Sequence, residues 1–114
     1  MPAGKALIEL LESLTEYVLV PEGAAHGVVV TAVDHDSRDV RAGSVFCALP
    51  GEHTDGHDHA AVAVARGAVA LVVERRLDVD VPQVVVPDAR TAMGHLADAF
   101  FGHPSRRIAV VGVT

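Results

Sequence analysis

With 114 residues, half of them hydrophobic, the chain forms one domain at most and has apolar surface for a packed core, which argues against wholesale disorder. Nine Lys and Arg against fifteen Asp and Glu give a net charge of −6, and Lys5 is the sole lysine, so no basic stripe can track a nucleic-acid backbone. A single cysteine, Cys47, excludes an internal disulfide framework and a cysteine zinc cage, and no apolar run approaches the ~20 residues of a membrane span.

Leu7, Leu10, Leu11 and Leu14 repeat at i, i+3, i+4, i+7, which predicts an amphipathic helix from Ala3 to Glu16. Glu9 and Glu12 interrupt the stretch that an export signal would need, so a cytoplasmic protein is expected. Tyr17 to Val20 suits a short strand stopped by Pro21, and Gly23 to Gly27 a turn. Val28 to Val33 is a β-branched run and is predicted as one strand. Ser44 to Leu49 is a second buried strand, ended by Pro50-Gly51. Asp58 is the expected cap of a helix that runs to Arg66 and stops at Gly67. Ala68 to Glu74 is a third strand, Arg75 to Pro82 an exposed connection, and Gln83 to Val86 a fourth strand. Asp88 is placed to cap a last helix, with Met93, Leu96, Ala97 and Phe100 on its buried face, before Pro104-Ser105 breaks it. Ile108 to Val113 reads as a final strand.

Short apolar strands alternating with helices predict an α/β fold: a small, mostly parallel or mixed sheet flanked by helices. Ligands of such sheets sit beyond the carboxyl ends of the strands. Two polar loops fall there, Asp34 to Arg41 and Pro50 to His57. The net negative charge does not exclude a small anionic ligand, because backbone N–H groups bind phosphate without lysine.

Each loop has two readings. Asp36-Ser37-Arg38 offers a hydroxyl, a guanidinium and exposed N–H groups to a nucleotide, or forms a plain turn closed by Asp36. Gly51 to His57 lets a ligand approach the backbone closely, or is an ordinary strand-to-helix loop. His53, Asp55, His57, Asp58 and His59 carry metal-ligand chemistry, but His57 and His59 are two apart and would not share a helix face, so no metal site is expected. Cys47, inside an apolar strand, reads as a buried inert thiol. Arg75, Arg76, Arg106 and Arg107 read as solvated loop charges. The ending at Val113-Thr114 is either a sheet-terminal strand or a strand feeding a further βα turn.

Taken in order, the motifs are more specific. Asp36-Ser37-Arg38, Ala42-Gly43, Val45-Phe46-Cys47-Ala48-Leu49-Pro50-Gly51, then Asp55-Gly56-His57, are followed by Val86-Pro87-Asp88-Ala89-Arg90, Phe100 to Ser105 and Val111-Gly112-Val113-Thr114. This string resembles the N-terminal, UDP-substrate-binding domain of the Mur ligases of bacterial peptidoglycan synthesis, most closely the MurE type (UDP-N-acetylmuramoyl-tripeptide synthetases), over essentially the whole chain. The resemblance implies a three-domain parent in cell wall biogenesis: this segment, residues 1–114, holds the UDP end of the substrate, and its partners are its own central ATP-binding and C-terminal amino-acid-recognising domains. In the MurE type a phosphate loop follows the Gly-Val-Thr strand, and here Thr114 would stand just before it. The implied reaction is ATP-dependent amide formation, with Mg²⁺. The D-Glu carboxylate of UDP-MurNAc-L-Ala-D-Glu becomes an acyl phosphate that the amine of diaminopimelate, or of L-lysine, attacks. No catalytic group of that scheme is implied within this segment, which alone is not expected to be active.

For substrate binding, the resemblance assigns Ser37 to the nucleotide and His35 to a neighbouring contact through its backbone. It assigns Glu52, His53 and Thr54 to a loop along the substrate; Glu52 suits a diphosphate poorly, so backbone N–H donation is expected there. Asp36 and Arg38 are expected to fix their loop, and Asp55 and Gly56 to shape the turn. The alternatives are a MurF-type ligase domain that would extend the tripeptide with D-Ala-D-Ala, a non-catalytic nucleotide-sugar-binding module, and a metal-dependent hydrolase built on the His/Asp cluster.

Overall fold

The computed structural model describes residues 4–51 and 55–101. Its centre is a five-stranded mixed sheet built from β2 (Val18–Val20), β4 (Ala32–Asp34), β5 (Ser44–Cys47), β6 (Ala70–Val73) and β7 (Gln83–Val85). The spatial order is β2-β7-β6-β5-β4; β4 to β7 run parallel, and β2 joins β7 antiparallel at one edge. The α/β sheet flanked by helices is the architecture that the alternating pattern predicts.

Strand pleating sends successive side chains to opposite faces. Val45 and Cys47 of β5, with Ala70 and Val72 of β6, face a core shared with α1 (Leu7–Leu11) and α3 (Ala89–Phe100). Phe46, Leu71 and Val73 face the other way, onto Ala60 and Ala63 of α2 (Ala60–Ala65). Strands covered on both faces read as unbroken apolar runs, which is why β5 and β6 stand out in the sequence. Cys47 is fully buried, and burial, with the Asp34 charge adding to it, pushes its thiol up to about 12. Among the described residues no helix is long and apolar enough to cross a membrane.

Four expectations are corrected. The helix predicted over residues 3–16 is α1 alone. Lys5–Ala6 is instead a short strand, β1, paired antiparallel with β3 (Val29–Val30). Beyond Leu11 the chain tightens into i→i+3 turns, and the Ser13 hydroxyl donates to Leu10 O at 2.8 Å. The run from Val28 to Val33 is two strands, not one. At Thr31 the N–H donates to Gly43 O and the hydroxyl to Ala42 O, and the chain passes from β3 in the small sheet to β4 in the large one. Asp58 does not cap the second helix: α2 is entered through a 3₁₀ turn, Gly56–His59, whose capping side chain is Asp55. In α3 the buried residues are Ala89, Ala92 and Leu96, with Met93 and Phe100 only partly covered. Leu96 is on the buried face as expected, Met93 and Phe100 pack against the same core from its margin, and Ala89 and Ala92 are the contacts the pattern did not mark.

Two expected features hold. Asp88 caps α3, accepting from Thr91 N at 3.1 Å, and that N–H holds its carboxyl below the usual range. Gly67 ends α2 at φ +113°, where a Cβ would lie 2.7 Å from Ala42 Cα. The predicted final strand, Ile108 to Val113, lies outside the described residues.

Candidate functional site

β4 and β5 pair in parallel with Asp34 opposite Phe46, so the turns that follow them leave the sheet side by side. This is the end of a parallel sheet at which ligands collect. The two turns are built alike and anchored differently.

In the first, Asp36 accepts from Arg38 N at 2.9 Å and opens a 3₁₀ turn, Ser37–Asp39. The Arg38 guanidinium folds back onto the same carboxylate, with Nη2 2.7 Å from Oδ2 and Nε 3.0 Å from Oδ1. The Arg38 hydrogen bonds hold the Asp36 carboxyl well below the usual carboxylate range, and Asp36 raises Arg38 in return. The base of the turn is fixed from outside: the fully buried Ser44 hydroxyl donates to Asp34 at 2.7 Å and accepts from Arg41 N, while Arg66 donates to Arg38 O at 3.0 Å. The Ser37 side chain makes no hydrogen bond among the described residues.

In the second, Asp55 accepts from His57 N at 2.9 Å and opens the turn Gly56–His59. Here the side chain two residues on points inward. The His57 ring is 1% exposed, with Nδ1 2.7 Å from Asp55 Oδ1. Glu74 N donates to His57 Nε2 at 2.9 Å, which makes Nε2 the acceptor and Nδ1 the proton-bearing donor. The Glu74 carboxylate accepts from Ala89 N at 2.8 Å, at the first turn of α3. Arg75 pairs with the other Asp55 oxygen at 3.1 Å. The His57 backbone N–H, first among these contacts, holds the Asp55 carboxyl well below its ordinary range. Gly56 N donates to Leu49 O at 2.8 Å, and a Cβ on Gly56 would sit 2.5 Å from Leu49 N. Only glycine permits that approach to the strand end. One connected set of bonds thus joins the second turn, the end of β6 and the start of α3.

Between the turns lies a cleft of about 600 Å³. His35, Asp36, Ser37 and Arg38 form one wall; Leu49, Pro50, Gly51 and Gly56 form the other, with Phe46, His59 and Arg90 completing the lining. Of the residues singled out from the sequence, His35 and Ser37 line the cleft together with Asp36, Arg38 and Gly56, and Asp55 stands behind the second wall. Glu52, His53 and Thr54 lie outside the described residues.

Within the His/Asp cluster, Asp55 and His57 are bonded to each other and to the turn, and His53 lies outside the described residues. Both ring nitrogens of His57 are engaged, and among the described residues no group of three His, Cys, Asp or Glu is placed to hold a metal ion. Arg75 is tied to Asp55 instead of being simply solvated. Sequence reasoning did not single out Ser44, Arg66, Glu74 or Arg90 for this site. Ser44, Arg66 and Glu74 act here through residues 10, 28 and 15 positions away, Arg90 reaches the cleft only through the fold, and the only local trace is that Glu74 ends an apolar strand and Arg90 stands in the first turn of a helix.

Comparison with known proteins agrees with this geometry. A family profile described as "Mur ligase family, catalytic domain" matches residues 29–101. The UDP-N-acetylmuramoyl-L-alanyl-D-glutamate–2,6-diaminopimelate ligase of Geobacillus thermodenitrificans is 55% identical over 85 residues, 75% of this chain and 17% of its own. The enzyme of the same name from Bacillus velezensis is 39% identical over 108 residues, 94% of this chain and 22% of its own. Among solved structures, MurF from Acinetobacter baumannii superposes with a TM-score of 0.73 at 31% identity, over 84% of this chain and 21% of its own. The chain thus spans about a fifth of the length of these relatives. The profile runs through both turns and every strand of the parallel sheet, and the identity to these relatives extends over most of the chain: it belongs to the Mur ligase family.

Proposed function

We propose that this chain is the N-terminal, nucleotide-holding part of a UDP-N-acetylmuramoyl-L-alanyl-D-glutamate ligase that adds diaminopimelate, or L-lysine, in the cytoplasm during peptidoglycan synthesis. The observation that carries the reading is the shared cleft: two turns that open at Asp36 and Asp55 come together beyond the carboxyl ends of adjacent parallel strands. In this reading the Ser37 hydroxyl bonds the nucleotide, the His35 backbone contacts it nearby, and residues 52–54 donate backbone N–H groups along the substrate. Asp36 with Arg38, and Asp55 with Gly56, fix the shape of the two walls. UDP-MurNAc-L-Ala-D-Glu is the partner, and the central and C-terminal domains of the parent enzyme complete the site.

ATP and Mg²⁺ supply carboxylate activation in the parent reaction. The described residues do not fit them: the sole lysine, Lys5, donates to Ala99 O at 3.0 Å, and no ligand trio for a cation is assembled. We therefore derive no ATP-dependent step from this chain. Its part is to bind and orient the nucleotide end so that the distant carboxylate is delivered elsewhere, a positioning contribution.

A second reading is a MurF-type domain, which the superposition on Acinetobacter MurF favours. The identities of 55% and 39% to diaminopimelate-adding relatives, against 31% to MurF, support the first. Calorimetric titration with UDP-MurNAc-L-Ala-D-Glu is the test: saturable binding is expected, weakened by the missing domains. No heat from a folded sample at millimolar ligand refutes the nucleotide reading.

A further inference from the structure

The charge of the cleft differs from that of the chain. The protein carries −6 overall, yet the described lining has one carboxylate, Asp36, and two guanidinium groups, Arg38 and Arg90. Asp36 and Arg38 are consumed by each other through two close contacts. That leaves Arg90. Its side chain has no hydrogen bond or ion pair among the described residues, and it is exposed. The nearby Asp88 carboxylate feels the Arg90 charge but is turned to Thr91 N, the bond that caps α3.

The helix terminus itself does not offer the charge. Ala89 N is taken by Glu74 and Thr91 N by Asp88, so α3 is capped from within the protein. The same capping fixes where Arg90, the second residue of α3, emerges. Glu74 is held through its N–H by the buried His57, so the start of α3 is tied to the second wall of the cleft. An arginine with no carboxylate of its own, rooted on a fixed helix turn beside a cleft, has the fork geometry that suits phosphoryl oxygens.

We infer that Arg90 is the residue of this cleft that meets the diphosphate of the bound uridine nucleotide. The inference rests on the nucleotide reading above and adds to it the source of positive charge, which Ser37 and backbone groups do not supply.

The test is a set of titrations of the protein with UDP and with uridine, followed by amide chemical shifts, in wild type, Arg90→Gln, Arg90→Lys and Arg76→Gln. Arg76 is an exposed arginine outside this cleft and controls for net charge. Arg90→Gln is expected to weaken UDP about tenfold, the loss of one charge-assisted contact, and to leave uridine unchanged. Arg90→Lys should recover part of the loss, and Arg76→Gln should bind UDP as wild type does. If Arg90→Gln binds UDP as tightly as Arg76→Gln, the Arg90 assignment is overturned while the nucleotide reading stands. If wild type binds neither UDP nor uridine, both fall. An equal loss for UDP and uridine would place Arg90 away from the phosphates and also overturn the assignment.

Discussion

The two walls of the cleft use one local device and anchor it in opposite ways. In both, an aspartate accepts from the N–H two residues on, at 2.9 Å, and starts a 3₁₀ turn. In the first wall the residue two on, Arg38, has a side chain 87% exposed that closes on the same aspartate. In the second it is His57, 1% exposed, bonded to a strand end seventeen residues away. In the first wall the aspartate is closed by its own exposed arginine, with only the base of the turn held by Ser44 and Arg66, whereas in the second the closing side chain is part of the core. The same backbone device is therefore closed by an exposed ion pair in one place and by buried long-range bonds in the other, decided by what the third residue reaches.

The sharpest way to break this comparison is Gly56→Ala. A Cβ 2.5 Å from Leu49 N and 2.8 Å from Leu49 O must displace backbone, and a loss of about 3 kcal/mol in chemical denaturation is expected. A stability within error of wild type would show that the second wall is not packed against β5. Next is His57→Ala, which removes an acceptor from Glu74 N and a partner from Asp55 in a buried place. About 2 kcal/mol should be lost, with partial recovery in His57→Gln, whose amide oxygen can take the Glu74 N–H.

Acid should separate the walls too. The Asp55 carboxyl is held below its ordinary value when folded, so its contribution is complete above the unfolded value, about 4, and fades as the pH falls through the folded one. Asp55→Asn is therefore expected to be less stable than wild type near neutrality and to lose less on acidification, read as denaturation midpoints from pH 7 downward. Parallel curves for the two proteins would contradict this. Ser37→Ala should leave stability alone and weaken nucleotide binding by about 1 kcal/mol, as for one hydrogen bond, by calorimetry. The smallest effect belongs to Arg38→Ala: its ion pair is exposed, and the denaturation midpoint is expected to stay within error of wild type.

Much of this was legible in one dimension. The runs Ser44 to Leu49 and Ala68 to Glu74 announce buried strands because β-branched and small apolar residues continue without alternation. Asp88 three residues before Thr91, and Gly67 after an alanine-rich stretch, mark helix ends by local chemistry. The errors share a cause. Leu14 keeps the helical period, yet Ser13 and the pairing of Lys5–Ala6 with Val29–Val30 confine the helix to one short stretch. Val28 to Val33 has extended propensity throughout, and nothing in it says that Thr31 is where the partner changes. Asp55 and Asp58 are equally good caps on paper, and Asp55 is the one used because His57 and Arg75 reach it.

The sequence by itself determined the alternation of strands and helices and the two polar turns, because periodicity and turn chemistry are local properties. Only the tertiary structure decided that the turns share a cleft, that the His57 ring is buried with both nitrogens bonded, and that Arg90 lines the same cleft as Ser37. Those facts depend on parallel register and on contacts seventeen to more than fifty residues apart, and such pairings are specified by the packing of the whole sheet, not by any segment of it.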